Sequence, residues 1–197
     1  MKTYEYDKEF YVKFKKLVVD VMSILYRIEA TGVENIPKDT NYMLVGNHLH
    51  IMDAGLITKY DDSYLRFLVN NKLYKKNFER YIFQKCGTIG IDQKIADLKA
   101  VKTMIETLKE YSMVVFPEGV THKQDVYVPF KPGVAGIAKI AKVPIIPFGI
   151  QGTYIPFSKL RINFGTPIDF SKSKLNKSQM DIVLESEVRK LEKIKDN

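Results

Sequence analysis

Residues 42–58 read YMLVGNHLHIMDAGLIT, and the change of period inside this stretch decides the fold. Tyr42 to Gly46 is a short uncharged run with the length and residue types of a buried strand. Asp53 starts a segment in which Ala54, Leu56 and Ile57 suit a helix. A strand that leaves through a polar turn into a helix is the start of an α/β crossover unit. Working outward, the same alternation returns. LRFLV (65–69), TIGI (88–91), MVVF (113–116), PIIPFGI (144–150) and RINFG (161–165) read as strands. Helices are expected over Lys72 to Phe83, Ile95 to Lys109 and Gly133 to Ala141. Met180, Val183, Leu184, Val188, Leu191 and Ile194 space a closing amphipathic helix over 178–194. With no repeat, low-complexity tract or Pro/Gly/Ser-rich linker, the expectation is an α/β domain: a mixed, largely parallel sheet flanked by helices.

The N-terminal segment has another period. Phe10, Phe14, Leu17, Val18, Val21, Met22, Leu25 and Ile28 recur at spacings of three and four, with Lys8, Lys13, Lys15, Lys16, Asp20 and Arg27 opposite. The chain is therefore divided into an amphipathic helical extension, 1–30, and an α/β domain, 31–197. Two readings of the helix stay open: docking on the protein's own core, or lying in a membrane interface with basic and aromatic flanks. Val21 to Tyr26, the longest uncharged run nearby, is too short to span a bilayer, and MKTYEYDKEF lacks the pattern of a secretory signal.

Composition bounds the partners. The chain of 197 residues is 45% hydrophobic with a net charge of +8, which suits a folded domain with an anionic partner. The basic excess is uneven. Residues 70–110 carry nine basic and five acidic side chains and residues 121–142 four and one, which places seven of the eight net charges there. Nucleic acid, an acidic membrane surface or a phosphorylated small molecule fits that excess, as does an ordinary solvated helix face. Cys86 is the single cysteine, so a disulfide framework and a cysteine zinc site are excluded, and a reducing compartment is the simplest setting.

All three histidines, His48, His50 and His122, fall in segments that leave predicted strands, where α/β proteins keep their chemistry. In a regular helix, a five-residue separation would hold His48 and Asp53 about 140° apart. Across a strand-to-helix turn they can meet, so that the carboxylate sets the tautomer of an imidazole base. Asp53 can equally cap the helix that follows it. A zinc hydrolase reading of His48-x-His50 fails at Met52 and Asp53, where its motif needs Asp and His. No nucleic-acid-binding module is recognisable.

These residues carry a resemblance. NHLHIMD (47–53) resembles the N-H-x-x-x-x-D motif of the glycerolipid acyltransferases, specifically the bacterial 1-acyl-glycerol-3-phosphate acyltransferases. Further blocks follow that family's order: TGVENIP (31–37), GTIGID (87–92), FPEG (116–119), FKPG (130–133) and VPIIP (143–147). The resemblance implies an O-acyltransferase that moves a fatty acyl group from an acyl thioester, acyl-CoA or acyl-acyl carrier protein, to the hydroxyl of a lysoglycerolipid. The acceptor it points to is 1-acyl-glycerol-3-phosphate, giving phosphatidic acid. His48 and Asp53 are then the catalytic pair. Asn47, Asp92, Lys94, Pro117, Glu118, Gly119 and Lys131 are the expected substrate-binding residues, and the Pro117-Glu118-Gly119 turn would supply N–H donors to the oxyanion. Neither metal nor other cofactor is implied. Cys86 need not be a nucleophile and reads as a small residue at a strand entry. The implied setting is the cytoplasmic face of the cell membrane, held peripherally. Two departures bear on the acceptor: Gln93 and Thr121 stand where the family commonly has arginine, leaving Lys94, Lys123 and Lys131 as substitutes or pointing to another lysolipid. His50 stands where serine is usual. The rival reading is a non-catalytic membrane-binding module.

Overall fold

The computed structural model describes residues 5–91 and 98–194. Helix α1 (Lys8–Leu25) is followed by strand β1 (Arg27–Thr31), β2 (Met43–Gly46), α2 (Asp53–Thr58), β3 (Arg66–Asn70), α3 (Asn77–Lys85) and β4 (Ile89–Ile91). Then come α4 (Leu98–Leu108), β5 (Met113–Val115), α5 (Val134–Ala141), β6 (Ile145–Gly152), β7 (Lys159–Phe164) and α6 (Lys177–Leu191). The strands form one sheet in the order β1-β7-β6-β2-β5-β3-β4. Every neighbouring pair is parallel except β6 and β7, so the sheet is mixed and largely parallel.

β2 is the centre of this arrangement. All four of its residues are buried because both faces of the sheet are covered, which is why its sequence is a continuous apolar run without alternation. Met43 and Val45 face one cluster, with Met104 and Leu108 of α4, Ala135 of α5 and Leu184 of α6. Leu44 faces the other, with Met22 of α1, Leu56 of α2 and Phe148 of β6. β6 and β5 flank β2 and run parallel to it. Their carboxyl ends therefore lie side by side, and the loops after all three meet.

The N-terminal helix departs from expectation at its C-terminal end. It stops at Leu25; Tyr26 is extended, and Arg27–Thr31 joins the sheet as edge strand β1. Ile28 satisfies both periods. It falls four residues after Ile24 on a helical count, but Ile28 and Ala30 also alternate with exposed Arg27, Glu29 and Thr31 and pack on the core, and pairing with β7 selects the strand. The sheet thus begins four residues before the boundary drawn at 30/31. α1 itself is docked on the core through wholly buried Met22, whose Sδ lies against Gly55 of α2. Truncating such a side chain costs about 2–5 kcal/mol. Leu17 and Ile24, 60% and 75% exposed, share an outward face with Val21. Among the described residues, no helix is long and apolar enough to cross a membrane.

Two other helices differ in extent. The stretch from Lys72 to Phe83 divides into a short 3-10 turn, Asn71–Tyr74, and α3. The Asn70 side chain caps the turn at Lys72 N, and Arg80 from α3 donates to the Tyr74 carbonyl, which stabilises the break. α4 is described from Leu98, so its predicted start at Ile95 lies outside the described residues.

Candidate active site

The β2 exit carries Asn47 and His48. Asn47 is buried, and its amide accepts from Ile150 N at 2.7 Å and donates to Ile150 O at 2.9 Å. Both ends of the amide are thus used to join the exit of β2 to β6, which makes Asn47 a structural clamp between the two strands.

His48 then turns back onto Asp53, the first residue of α2. Its Nδ1 lies 2.8 Å from Asp53 Oδ2, and the same oxygen accepts from Leu49 N at 2.7 Å and His50 N at 3.0 Å. Asp53 is wholly buried, and these two amides fix its carboxylate as a cap on the turn as well as a partner for the imidazole. The two sequence readings of Asp53 are therefore one arrangement. The carboxylate at Nδ1 favours the tautomer with a proton there, which leaves Nε2 as the lone-pair nitrogen. No described residue bonds Nε2, and the ring is partly exposed, stacked on Phe116 with centroids 4.0 Å apart.

The β5 exit supplies the other wall. Pro117 is buried, and Gly119 has φ +70, a left-handed conformation that closes the turn through Gly119 N to Phe116 O at 3.0 Å. Of the three turn residues expected to offer N–H donors, Pro117 has none and that of Gly119 is spent inside the turn, which leaves Glu118 N–H. A Cβ at Gly119 would lie 2.5 Å from Lys131 Nζ, so the lysine lies across the glycine, and its own N–H bonds the Pro117 carbonyl. Lys131 thus places an exposed ammonium at the turn.

The Glu118 side chain is directed at protein groups that structure the turn. Its carboxylate is buried and committed: Oε2 accepts from His48 N at 2.8 Å, and Oε1 from Arg189 Nη1 of α6 at 3.0 Å. His122 brings Nε2 to 2.8 Å of the same Oε2 without hydrogen-bond alignment, while its N–H bonds the His48 carbonyl. Burial opposes the charge of Arg189, but the carboxylates of Glu192, Glu118 and Glu185 outweigh it and raise its pKa. Glu118 therefore ties the His48 backbone to the β5 exit and to α6, which is why a carboxylate is needed there. Asp92 and Lys94 lie outside the described residues.

Two residues that the sequence reading passed over belong to this centre. Arg189 lies beside the apolar stripe of α6 and carries no motif. Tyr154, two residues past β6, donates its hydroxyl to Asp53 Oδ1 and stacks on His50, with ring centroids 4.5 Å apart. The strand-exit rule applied to β6 as it was to β2 and β5 points to Tyr154. Cys86 is buried at the entry to β4, and burial pushes its thiol up to about 12, so it is not a thiolate near neutral pH. A cleft of about 720 Å³ opens beside β4 and α4 around Arg66, Tyr6 and Tyr111, but His48, Asp53 and Glu118 do not line it. No three His, Cys, Asp or Glu side chains among the described residues converge as metal ligands.

The sequence matches the Acyltransferase family over residues 27–151. It is similar to the 1-acyl-sn-glycerol-3-phosphate acyltransferase of Borreliella burgdorferi, 27% identical over 186 residues that cover 86% of this chain and 73% of that protein. It is also similar to the chloroplastic 1-acyl-sn-glycerol-3-phosphate acyltransferase BAT2 of Brassica napus, 26% identical over 132 residues, 65% of this chain and 38% of the plant protein. The fold is similar to the crystal structure of the 1-acyl-sn-glycerophosphate (LPA) acyltransferase PlsC from Thermotoga maritima, with a TM-score of 0.71 and 26% identity over 96% of this chain and 81% of that one. The match spans β1 to β6 and takes in His48, Asp53 and Glu118: the chain belongs to the Acyltransferase family.

Proposed function

We propose that this enzyme acylates the free hydroxyl of 1-acyl-glycerol-3-phosphate, giving phosphatidic acid, with an acyl thioester as donor and with His48 and Asp53 as the catalytic pair. The carrying observation is the 2.8 Å contact of His48 Nδ1 with Asp53 at the β2 exit, which leaves Nε2 unbonded in a partly exposed ring. Nε2 takes the proton of the acceptor hydroxyl as its oxygen attacks the thioester carbonyl, and Asp53 stabilises the imidazolium formed. The tetrahedral intermediate collapses by breaking the C–S bond, and the departing sulfur receives the proton from Nε2. Every proton and electron pair is accounted for without a cofactor. The backbone N–H groups of Glu118 and Val120, which bond no described acceptor, are those left to meet the oxyanion.

Lys131, held across Gly119, is the cation that serves the acceptor phosphate in place of the arginines replaced by Gln93 and Thr121. Acyl-CoA and acyl-acyl carrier protein are both acidic donors that suit the exposed Lys72, Lys75 and Lys76 beside exposed Phe78. The outward apolar face of α1, with Leu17, Val21 and Ile24, supports peripheral seating on the cytoplasmic face of the membrane that holds the acceptor. Initial rates with 1-acyl-glycerol-3-phosphate and with the corresponding monoacylglycerol test the acceptor. The phosphate form is expected to react faster, with a KM that rises about tenfold in Lys131→Gln. Equal rates on both acceptors would refute the choice of headgroup.

A further inference from the structure

Asp53 holds the strand-exit histidine, and the structure shows what holds Asp53. Three donors reach Oδ2: His48 Nδ1, Leu49 N and His50 N, all from the loop that Asp53 ends. The hydroxyl of Tyr154 reaches Oδ1 from the exit of β6, a separate element. The tyrosine is itself held on two sides. One face stacks on the His50 ring at 4.5 Å and 24°, and the Tyr26 ring meets it at 5.6 Å and 77°.

We infer that Tyr154 is a positioning residue for acyl transfer, acting on His48 through Asp53. Two effects follow from one bond. With Oδ1 tied to β6 and Oδ2 to the loop, the carboxylate cannot rotate about its Cβ–Cγ bond, so Oδ2 stays within reach of Nδ1. A hydroxyl that donates to Oδ1 also draws negative charge away from Oδ2, which weakens the pull of Asp53 on an imidazolium proton. Tyr154 thereby keeps the histidine a base that releases its proton again to the leaving thiolate. The phenol stays a donor throughout, because burial, and after it the charge of Asp53, push its pKa well above the ordinary tyrosine value. The other ionisable groups facing this histidine are His50 on its own loop, Glu118 and His122 at the β5 exit, and Arg189 of α6 through Glu118. None of these bonds the Tyr154 hydroxyl.

The inference rests on the acyl-transfer reading, and the test separates the two. Tyr154→Phe removes one oxygen and leaves the ring on His50 and Tyr26; Tyr154→Leu removes the ring as well. In Tyr154→Phe, kcat is expected to fall about tenfold, the effect of one lost hydrogen bond to a charged group, with KM for donor and acceptor within about twofold of wild type. The acid limb of its kcat/KM profile is expected to move to higher pH by about half a unit or more, since an undivided carboxylate holds the imidazolium proton harder. A merely structural contact would not move that limb. If Phe restores the wild-type kcat and acid limb where Leu does not, the ring and not the hydroxyl acts, and the inference is overturned. A loss confined to KM overturns it too. Wild type and His48→Ala are measured alongside: a wild type that forms no acylated product would sink the acyl-transfer reading itself, whereas an active wild type and an inactive His48→Ala beside an unaltered Tyr154→Phe would sink only the role of Tyr154.

Discussion

Replacing Glu118 by glutamine asks whether this buried carboxylate touches substrate or holds the site together. In the structure, it accepts from His48 N at 2.8 Å and from Arg189 Nη1 at 3.0 Å, and its side chain is fully buried. Glutamine keeps the shape and one acceptor oxygen, so the bond to His48 N can persist as a neutral one. The charge-assisted bond to Arg189 is lost. Arg189 still has Glu192 at 2.9 Å and Glu185 at 3.2 Å, so its own charge is not abandoned. The expected cost is therefore about 2 kcal/mol, the range for one hydrogen bond to a charged group. Glu118→Ala removes both bonds and strands the His48 amide, for an expected cost of about 3–5 kcal/mol. Urea unfolding followed by circular dichroism gives these differences, and steady-state kinetics on the same preparations gives kcat and KM. The structure predicts a lowered midpoint and lowered kcat with acceptor KM unchanged. Because the two residues share a bond, Glu118→Gln and Arg189→Met should be less than additive. If acceptor KM rises tenfold while the unfolding midpoint stays at the wild-type value, Glu118 faces the substrate and the structural assignment is refuted.

Other expectations follow from the same contacts. Asp53→Asn keeps an oxygen for the Leu49 and His50 amides but removes the charge that orients His48 and steadies the imidazolium, so kcat should fall by on the order of 10³- to 10⁴-fold, as in comparable triads; a loss below tenfold in a turnover assay would contradict the pairing. Iodoacetamide at pH 8 should leave Cys86 unmodified in the folded enzyme and label it in urea, since burial holds the thiol up at about 12; stoichiometric labelling of active protein with loss of turnover would restore a nucleophilic role. Burial also raises the pKa values of Tyr6, Tyr11, Tyr42 and Tyr154 above 10.0. Below that value both states keep these protons, and above it the unfolded chain ionises first, so stability should decline as pH rises past about 10. Equal denaturant midpoints at pH 8.5 and 10.5 would contradict it.

What the sequence disclosed follows from how local each signal is. The run 42–46 announces a central strand because both of its faces are buried. The spacing from His48 to Asp53 becomes meaningful once a strand exit and a helix start are placed between them. The single bond from Nδ1 to Oδ2 then lies within one loop, where sequence distance and spatial distance agree. β1 was missed because Ile28 fits two periods, and its strand character is decided by β7, more than 130 positions along. Tyr154 and Arg189 were missed for a related reason. Neither has a spacing relation to its carboxylate: Tyr154 meets Asp53 because β6 pairs beside β2, and Arg189 meets Glu118 because α6 packs back over the β5 exit. Asn47 and Glu118 fell in motif blocks, but a block does not say whether a side chain points at substrate or back at the backbone. Here both point back.

The central claim is that His48 is the base for acyl transfer to a lysophosphatidic acid hydroxyl. Purified wild type and His48→Ala, given labelled 1-acyl-glycerol-3-phosphate and an acyl thioester, test it most directly through the initial rate of phosphatidic acid formation. A fall of about 10³-fold or more in His48→Ala, with its unfolding midpoint close to that of wild type, is the predicted result. Phosphatidic acid formed by His48→Ala at the wild-type rate would contradict the claim.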